Sequence, residues 1–298
     1  MKKIAILGSP RGWHVRALHQ ALERRGVAVT CLPITRLVAR VAGRPWVRSQ
    51  EDTLDGYDAI FVRAIPGGSL EQIIFRVNVL HRLEDAGVRI VNPPTTIERT
   101  VDKYYTSSLL EDAGLPTPRT IVTERFDGAL AAFHELGGDI VVKPLFGSEG
   151  RGMVRVSDPD TAYRVFRALE LGRYVYYLQE FIPHAPSVGV NEDIRAFVIG
   201  DRVVAAMVRR ANSWKTNVAQ GAEALVLTLS PDMVEMSLCA ARALDADYAG
   251  VDILRSEEGR VYVSEVNGIP GWAKLQQVTG VDVAEILVEH VIGRGGES

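Results

Sequence analysis

The stretch from Ala249 to Asn267 constrains this chain most. Two runs rich in Val, Ile and Tyr flank a polar Ser256-Glu257-Glu258-Gly259 turn, the pattern of a β-hairpin. Glu265 and Asn267 stand two apart and therefore share one face of a strand. With Glu257 and Glu258 as the central turn residues, the antiparallel register brings Asp252 to that face, one diagonal step from Glu265. Diagonal Cβ atoms across a sheet are roughly 7–8 Å apart, close enough to share one hard cation. Two carboxylates and an amide carbonyl offer only oxygen, which suits Mg²⁺ held partly through nucleotide phosphates. Acidic residues also decorate the solvated outer faces of ordinary hairpins. Turned inward among Val and Ile, however, two like charges are costly without a cation.

The 298 residues are enough for two or three lobes, and 47% hydrophobic content supports a sizeable core. A net charge of -3 gives no reason to expect non-specific nucleic-acid binding. Cys31 and Cys239 are too far apart in sequence to suggest a metal-ligand pair, so packing in a reducing cytoplasm is their expected role. The apolar run Ile4 to Leu7 stops at Gly8, too short for a signal segment, and no run approaches the roughly 20 apolar residues of a membrane span.

Taken in order, the chain begins with strand Lys3 to Leu7, helix Trp13 to Arg25 and strand Val27 to Leu32, a βαβ start that implies a parallel sheet. Gly8 and Gly12 lack the three-glycine spacing of a dinucleotide fingerprint, so a Rossmann cofactor site is rejected. Strand Asp58 to Arg63, helix Gly67 to Ala86 and strand Val88 to Val91 follow, and Asn92-Pro-Pro94 reads as a boundary. One helix is expected over Ile97 to Ala113, with Lys103 in its interior. An α+β segment then runs from Arg119 to Phe181. The hairpin Asp193 to Arg210 turns at Gly200-Asp201, helix Pro231 to Leu244 precedes the acidic hairpin, and a helix over about Val281 to Ile292 closes the chain.

Phe146-Gly-Ser-Glu-Gly-Arg-Gly152 lies between two expected strands, Ile140 to Pro144 and Met153 to Val156. A Walker loop must open onto a helix, whereas a glycine-rich hairpin can fold over phosphates as a flap and donate backbone N–H groups. Lys143 enters that loop and would meet a phosphate as a point charge. A flexible surface hairpin is the plainer reading of the same glycines. Gln179-Glu-Phe-Ile182 ends an aromatic strand just before Pro183, and such a strand end offers backbone amides beside apolar side chains, as a purine needs. It equally fits a connector between lobes.

These pieces in this order resemble the ATP-grasp superfamily, and specifically the RimK-type carboxylate–amine ligases. The resemblance is carried by Asp102-Lys103, Val141-Val-Lys-Pro144 with its glycine loop, Gln179-Glu-Phe-Ile182, Asp193-Ile-Arg195, Val203 to Ala211, Lys215-Thr-Asn217, Ala249 to Leu254 and Glu265-Val-Asn267. It runs from about Asn92 to Ile292, and the first ninety residues match only as an open α/β lobe. It implies an α/β and α+β architecture, an ATP-grasp fold with an N-terminal open α/β lobe over 1–95, a central lobe with a glycine-rich lid over 96–182, and a metal-bearing lobe over 183–298.

By the same resemblance, Lys103, Lys143 and the loop residues Gly147, Ser148, Gly150 and Gly152 would hold ATP phosphates. Glu180, Phe181 and Ile182 would line the adenine pocket, Asp193 would face the ribose, and Lys215 and Asn217 would reach the triphosphate end or the acceptor. Asp252, Glu265 and Asn267 would carry Mg²⁺ or Mn²⁺. Arg195 and one of Arg209 or Arg210 would stabilise the transferring phosphate. A two-residue turn at Gly200-Asp201 puts Arg195 and Arg210 on one face, which selects Arg210.

The implied activity is an ADP-forming ligation of L-glutamate to a carboxylate through an acyl phosphate, in a cytoplasmic enzyme that engages neither nucleic acid nor membrane. Ala219-Gln-Gly-Ala222 stands where ligases acting on a ribosomal-protein tail have a basic stretch, and Ser213-Trp-Lys-Thr-Asn217 looks like the branch that modifies an amino-group carrier protein. Gly268-Ile-Pro-Gly-Trp272 looks more like ligases acting on tetrahydromethanopterin-type cofactors, for which Trp214 and Trp272 would be stacking surfaces. A small-molecule acceptor is therefore expected ahead of a protein one. The rival classes are a kinase that stops at phosphoryl transfer and a nucleotide-binding regulatory protein. Oligomeric state is left open, a homo-oligomer included.

Overall fold

A computed structural model describes residues 2–147, 150–183, 191–216 and 221–293. The chain opens with β1 (Lys3–Leu7), α1 (Trp13–Arg24) and β2 (Ala28–Leu32). Three short strands, β3 (Leu37–Ala39), β4 (Val47–Ser49) and β5 (Asp52–Thr53), form a small sheet of their own that the sequence pattern did not signal. β6 (Ala59–Val62), α2 (Leu70–Asp85) and β7 (Arg89–Val91) complete a four-stranded sheet in the order β2-β1-β6-β7, parallel throughout. Its strands are mainly apolar because α1 covers one face and α2 the other.

The single helix expected from Ile97 to Ala113 is two: α3 (Pro94–Val101) and α4 (Lys103–Asp112). Asp102 is the cause. Its carboxylate accepts from the backbone N–H groups of Tyr104 and Tyr105, at 2.9 and 3.1 Å, so it caps a new helix instead of continuing the old one. Lys103 consequently stands at the first turn of α4.

Strand β8 (Thr120–Thr123), helix α5 (Phe126–Glu135), strands β9 (Ile140–Lys143) and β10 (Val154–Val156), helix α6 (Pro159–Leu171) and strand β11 (Tyr176–Glu180) build an antiparallel sheet in the order β10-β9-β11-β8. Its core is made solely from its own elements among the described residues. The third sheet contains β12 (Asn191–Ile199), β13 (Arg202–Ala211) and β14 (Glu223–Val226), then, after α7 (Pro231–Ala243), β15 (Tyr248–Arg255) and β16 (Val261–Asn267). Its order is β14-β13-β12-β15-β16, antiparallel throughout. Helices α8 (Ala273–Thr279), absent from the sequence reading, and α9 (Val283–Gly293) end the described chain.

The first and third sheets share a core. Ile4, Ile6, Leu18 and Leu22 pack with Phe197, Tyr248, Trp272 and Leu287 in one cluster. Polar ties reinforce it: Arg89 to Asp247 at 2.8 Å, Thr96 Oγ1 to the Leu244 and Asp245 carbonyls at 3.0 and 2.7 Å, and Arg25 to Glu285 at 3.1 Å.

His14 belongs to the same seam. Its Nε2 accepts from the backbone N–H groups of Trp272 and Ala273, at 2.9 and 3.3 Å, and so needs a neutral ring with the proton on Nδ1. Burial, assisted by the nearby Arg63 charge, depresses its pKa to about 4. The unfolded histidine takes up a proton below roughly pH 6.5, so this group's stabilisation is complete above that value and is lost as pH falls toward about 4. Discounted for partial exposure, the loss is expected to reach about 2 kcal/mol. Urea unfolding of the wild type and His14→Gln at pH 7 and pH 4.5 checks this. The gap between them should narrow in acid, and parallel pH profiles would count against it.

Candidate active site

The acidic hairpin forms as expected, with one difference of register. Ser256 N–H donates to the Arg260 carbonyl at 2.8 Å, so the turn is one residue longer than the sequence reading assumed. Continued regularly, the pairing Ile253↔Val263 would set Asp252 opposite Ser264 and rotate Glu265 to the other face. A bulge between Asp252 and Ile253 absorbs the extra residue and sets Asp252 directly opposite Glu265. Gly250 then pairs with Asn267, and Asp252, Glu265 and Asn267 share one face.

A second bulge corrects the choice of arginine. In β12–β13 the turn pairing Ile199↔Arg202 shifts between Phe197 and Val198, so that Asp193 faces Arg209 and Glu192 faces Arg210. Arg209 therefore shares the face of Asp193 and Arg195, whereas Arg210 points the other way and pairs with Glu192 at 2.6 Å. The expected pairing of Arg195 with Arg210 fails because the extra residue in β13 inverts the alternation.

The result is a buried four-member network. Arg209 grips Asp193 bidentately at 2.6 and 2.5 Å and reaches Asp252 Oδ1 at 3.1 Å. Arg195 clasps Asp252 from the other side, with Nη2 2.7 Å from Oδ2. Burial alone would push the Asp252 carboxyl up, but the guanidiniums of Arg195 and Arg209 outweigh it and hold the group below its ordinary range. Asp193 is buried and held by Arg209.

Glu265 contrasts with its neighbour. It is half-buried, and no described residue donates a hydrogen bond or forms an ion pair to it. Lys143 and Lys103 feel its charge. Burial depresses the Lys143 ammonium, which Glu265 and Asp252 pull back up while Lys103 pushes it further down. Burial likewise depresses Lys103, against Glu265 and Asp102. Lys143 Nζ donates to Gln179 Oε1 at 2.7 Å, and Lys103 Nζ to the Gly147 carbonyl at 2.7 Å, which ties α4 to the glycine loop. The loop joins two antiparallel strands, as expected of a flap, with Val154 paired to Val142. Gly147, Gly150 and Gly152 have φ of 155°, 69° and 76°, values that disfavour any side chain. Ser148 and Asn217 lie outside the described residues, as do their expected contacts.

The strand-end segment is partly engaged. Phe181 N–H donates to the Asp139 carbonyl at 3.0 Å, so that amide is not open to a base. The Glu180 carboxylate takes the Arg119 backbone N–H and Nε at 2.8 and 2.7 Å. The Phe181 ring lies under the Arg155 guanidinium at 3.5 Å and edge-on to Trp214, and Ile182 is buried. Lys215 Nζ stands 5.1 Å over the Trp214 ring. Trp272, expected as a stacking surface, is only 1% exposed, wedged among His14, Phe197 and Arg63. It is a core residue and offers no face to a ligand.

The donor set fits a hard divalent cation. Glu265 is unclaimed, Asn267 Oδ1 accepts a single hydrogen bond from Ile269 N–H at 2.9 Å, and Asp252 Oδ2 keeps a lone pair beside its arginine. No group of three His, Cys, Asp or Glu side chains converges among the described residues; the two carboxylates here are accompanied by the Asn267 amide oxygen.

Residues 100–291 match the RimK-like ATP-grasp domain family, and residues 1–97 match the RimK PreATP-grasp domain. The chain belongs to the RimK-like ATP-grasp family. The ligase of this family is similar over nearly its whole length to a tetrahydromethanopterin:alpha-L-glutamate ligase of Methanocaldococcus jannaschii, 34% identical over 97% of this chain and 98% of that one. It is likewise 32% identical to a probable alpha-L-glutamate ligase of Stutzerimonas stutzeri, over 99% of this chain and 96% of the relative. Among solved structures, the ATP-grasp ligase PsnB complexed with minimal precursor, Mg and ADP superposes with a TM-score of 0.75 at 21% identity, covering 98% and 97% of the two chains. A RimK domain protein from Sphaerobacter thermophilus superposes at 0.76 and 21% identity, over 98% and 100%. The RimK-like chain is thus an ATP-grasp ligase of mixed α/β and α+β build, as the resemblance implied. No helix among the described residues is long and apolar enough to cross a membrane.

Sequence reasoning named Arg209 only as the less favoured of two arginines, and it gave Arg63 and Asn92 no role at the seam. For Arg209 the regular count from the Gly200-Asp201 turn favoured its neighbour, and no residue marked the bulge that reverses that choice. The other two are isolated residues whose partners lie more than 150 positions away.

Proposed function

We propose that this ligase uses ATP and Mg²⁺ to join L-glutamate to a carboxylate of a small-molecule acceptor of the tetrahydromethanopterin type, through an acyl phosphate. The observation that supports it best is the unclaimed Glu265 carboxylate, directly opposite an arginine-held Asp252 and in the field of two partly buried lysines. Because no described residue hydrogen-bonds to it or forms an ion pair with it, its oxygens are available to a cation. Glutamate is the donor common to the names of relatives on both the archaeal and the bacterial side. The burial of Trp272 removes the stacking argument for a pterin, so the acceptor class rests on those relatives.

In this reading Lys103, Lys143 and the amides of the glycine loop hold the phosphates, and Asp252, Glu265 and Asn267 hold the cation. Bound Mg²⁺ would supply charge neutralisation at the transferring phosphate. Arg195 and Arg209 stand beside that position on rigid strands. Arg195 has donors to spare beyond Asp252, which a phosphoryl group can take as charge builds on its oxygens. One acceptor carboxylate oxygen attacks the γ-phosphorus and ADP departs. The glutamate amine then attacks the acyl carbon, loses a proton and expels orthophosphate. The glycine flap would shield the acyl phosphate from water.

The test uses tetrahydromethanopterin carrying ¹⁸O in its carboxylates, with L-glutamate, ATP and Mg²⁺. Label should appear in orthophosphate, and ADP should form in step with the amide. AMP as the main nucleotide product would sink the acyl-phosphate route. A phosphorylated acid accumulating without amine would favour a kinase. Turnover only with a protein C-terminus or carrier protein would move the acceptor to that class.

A further inference from the structure

Arg63 leaves the C-terminal end of β6, where the first sheet changes direction. β1 leads through α1 to β2 on one side, and β6 leads through α2 to β7 on the other. In open parallel sheets the crevice outside such a switch point is where ligands bind. Here the loop after β1 forms one wall: Gly8 approaches so closely that an added Cβ would lie 3.2 Å from Arg63 Cβ. The turn Gly268 to Trp272 of the third sheet forms the other wall.

The guanidinium of Arg63 is poorly compensated. Nη1 donates to the Tyr248 hydroxyl at 2.7 Å, Nη2 to the Pro270 carbonyl at 2.8 Å, and the Trp272 ring lies 4.5 Å below. Both acceptors are neutral. Its buried Nε has no partner, and no described carboxylate lies within ion-pair range. The other arginines that tie the end of α1, the first sheet or α3 to the elements packed against them are different: Arg24, Arg25, Arg89 and Arg99 each meet a carboxylate. A purely structural tie would be expected to resemble them, because an uncompensated half-buried charge is costly.

Arg63 also adjoins the proposed site. An added Cβ at Gly250 would lie 3.0 Å from both Arg195 Nη1 and Pro270 Cβ. Pro270 therefore stands between Arg195, at the phosphate end, and Arg63, which bonds its carbonyl.

We propose that Arg63 is a specificity residue that binds a non-reacting carboxylate of one of the two substrates, the amino-acid donor or the acid acceptor. The assignment rests on the ligase reading above and extends it into the crevice of the first sheet.

The test is binding without turnover, by calorimetry on the full chain with ADP and Mg²⁺ present. The donor arm compares L-glutamate with its α-amide and γ-amide, and the acceptor arm compares N-acetyl-L-glutamate, which has no free amine, with its two monoamides. The wild type should bind one free acid about 10- to 150-fold more tightly than the amide that blocks the recognised carboxylate, the range of one charge-assisted contact. In Arg63→Met, which keeps the apolar stem, that preference should collapse to near unity with ADP affinity unchanged, and Arg63→Lys should restore part of it. The arm that responds identifies the substrate. The assignment is overturned if neither acid binds the wild type, if Arg63→Met keeps the preference, or if it weakens acids and amides equally, as a structural tie would. None of these outcomes bears on ADP formation, by which the ligase reading itself stands or falls.

Discussion

Replacing Glu265 with Gln is expected to lower turnover by roughly 100-fold or more while leaving the midpoint of unfolding unchanged. The substitution keeps volume and removes one negative charge from a position where no described residue depends on it for an ion pair or hydrogen bond. Its consequences for folding are therefore small. Its consequences for the cation are not, because changing even an outer partner of a metal ligand costs about 10- to 100-fold, and Glu265 would be a direct ligand. Lys143 and Lys103 lose a carboxylate that opposes their depression by burial, while bound phosphates lose a repelling charge, and the two effects oppose each other. The expected signature is lost turnover, a raised Mg²⁺ requirement and near-normal ATP affinity. Rates measured across a Mg²⁺ titration, with calorimetry of a non-hydrolysable ATP analogue, read all three. Wild-type turnover at every Mg²⁺ concentration would remove the metal assignment.

The same site shows where sequence stops being informative. The alternation in Ala249–Asn267 made the hairpin and its acidic face visible, and the motif order made the family visible. Strand pairing was read by counting back from the turn, which assumes a regular ladder. Two bulges break that assumption with opposite consequences. In β15–β16 the bulge offsets a longer turn, so the expected face survives for a reason the sequence did not display. In β12–β13 the turn was placed correctly and the bulge put Arg209, not Arg210, on the face of Arg195. Neither extra residue is a glycine, the usual flag of a bulge. The break between α3 and α4 was more legible, since Asp102 is an N-cap residue type. The seam between the first and third sheets was invisible. It is made of single residues such as His14, Arg63 and Asn92, whose partners are chosen by tertiary packing alone.

Asn92 is the residue of that seam on which most depends, and Asn92→Ala is expected to destabilise the chain by about 3–5 kcal/mol. The side chain is fully buried. Its Nδ2 donates to the Tyr248 and Gly268 carbonyls at 2.8 and 2.6 Å, and its Oδ1 accepts from Tyr248 N–H at 3.1 Å. Removing it strands up to three backbone groups away from water, each costing about 1–3 kcal/mol before relaxation. Asn92→Asp makes the sharper comparison, because shape is constant and only the hydrogen-bond pattern changes. Aspartate can still accept from Tyr248 N–H, but it sets a buried negative oxygen against two carbonyls that need donors. Asp should therefore be at least as damaging as Ala at neutral pH, and protonation in acid, which returns one donor, should narrow the difference. Urea midpoints for the wild type and both variants at pH 7 and pH 5 give the ranking, and a loss below about 0.5 kcal/mol in Asn92→Ala would show that the seam does not need this amide. The effect should also reach the active site. Gly268 directly follows Asn267 and Tyr248 begins the strand that carries Asp252, so one side chain from the first sheet fixes the ends of both strands that present the proposed metal ligands. In whatever fraction of Asn92→Ala remains folded, the Mg²⁺ requirement should rise while the affinity for a non-hydrolysable ATP analogue changes little, since Lys143 and the glycine loop belong to a sheet that this seam does not touch.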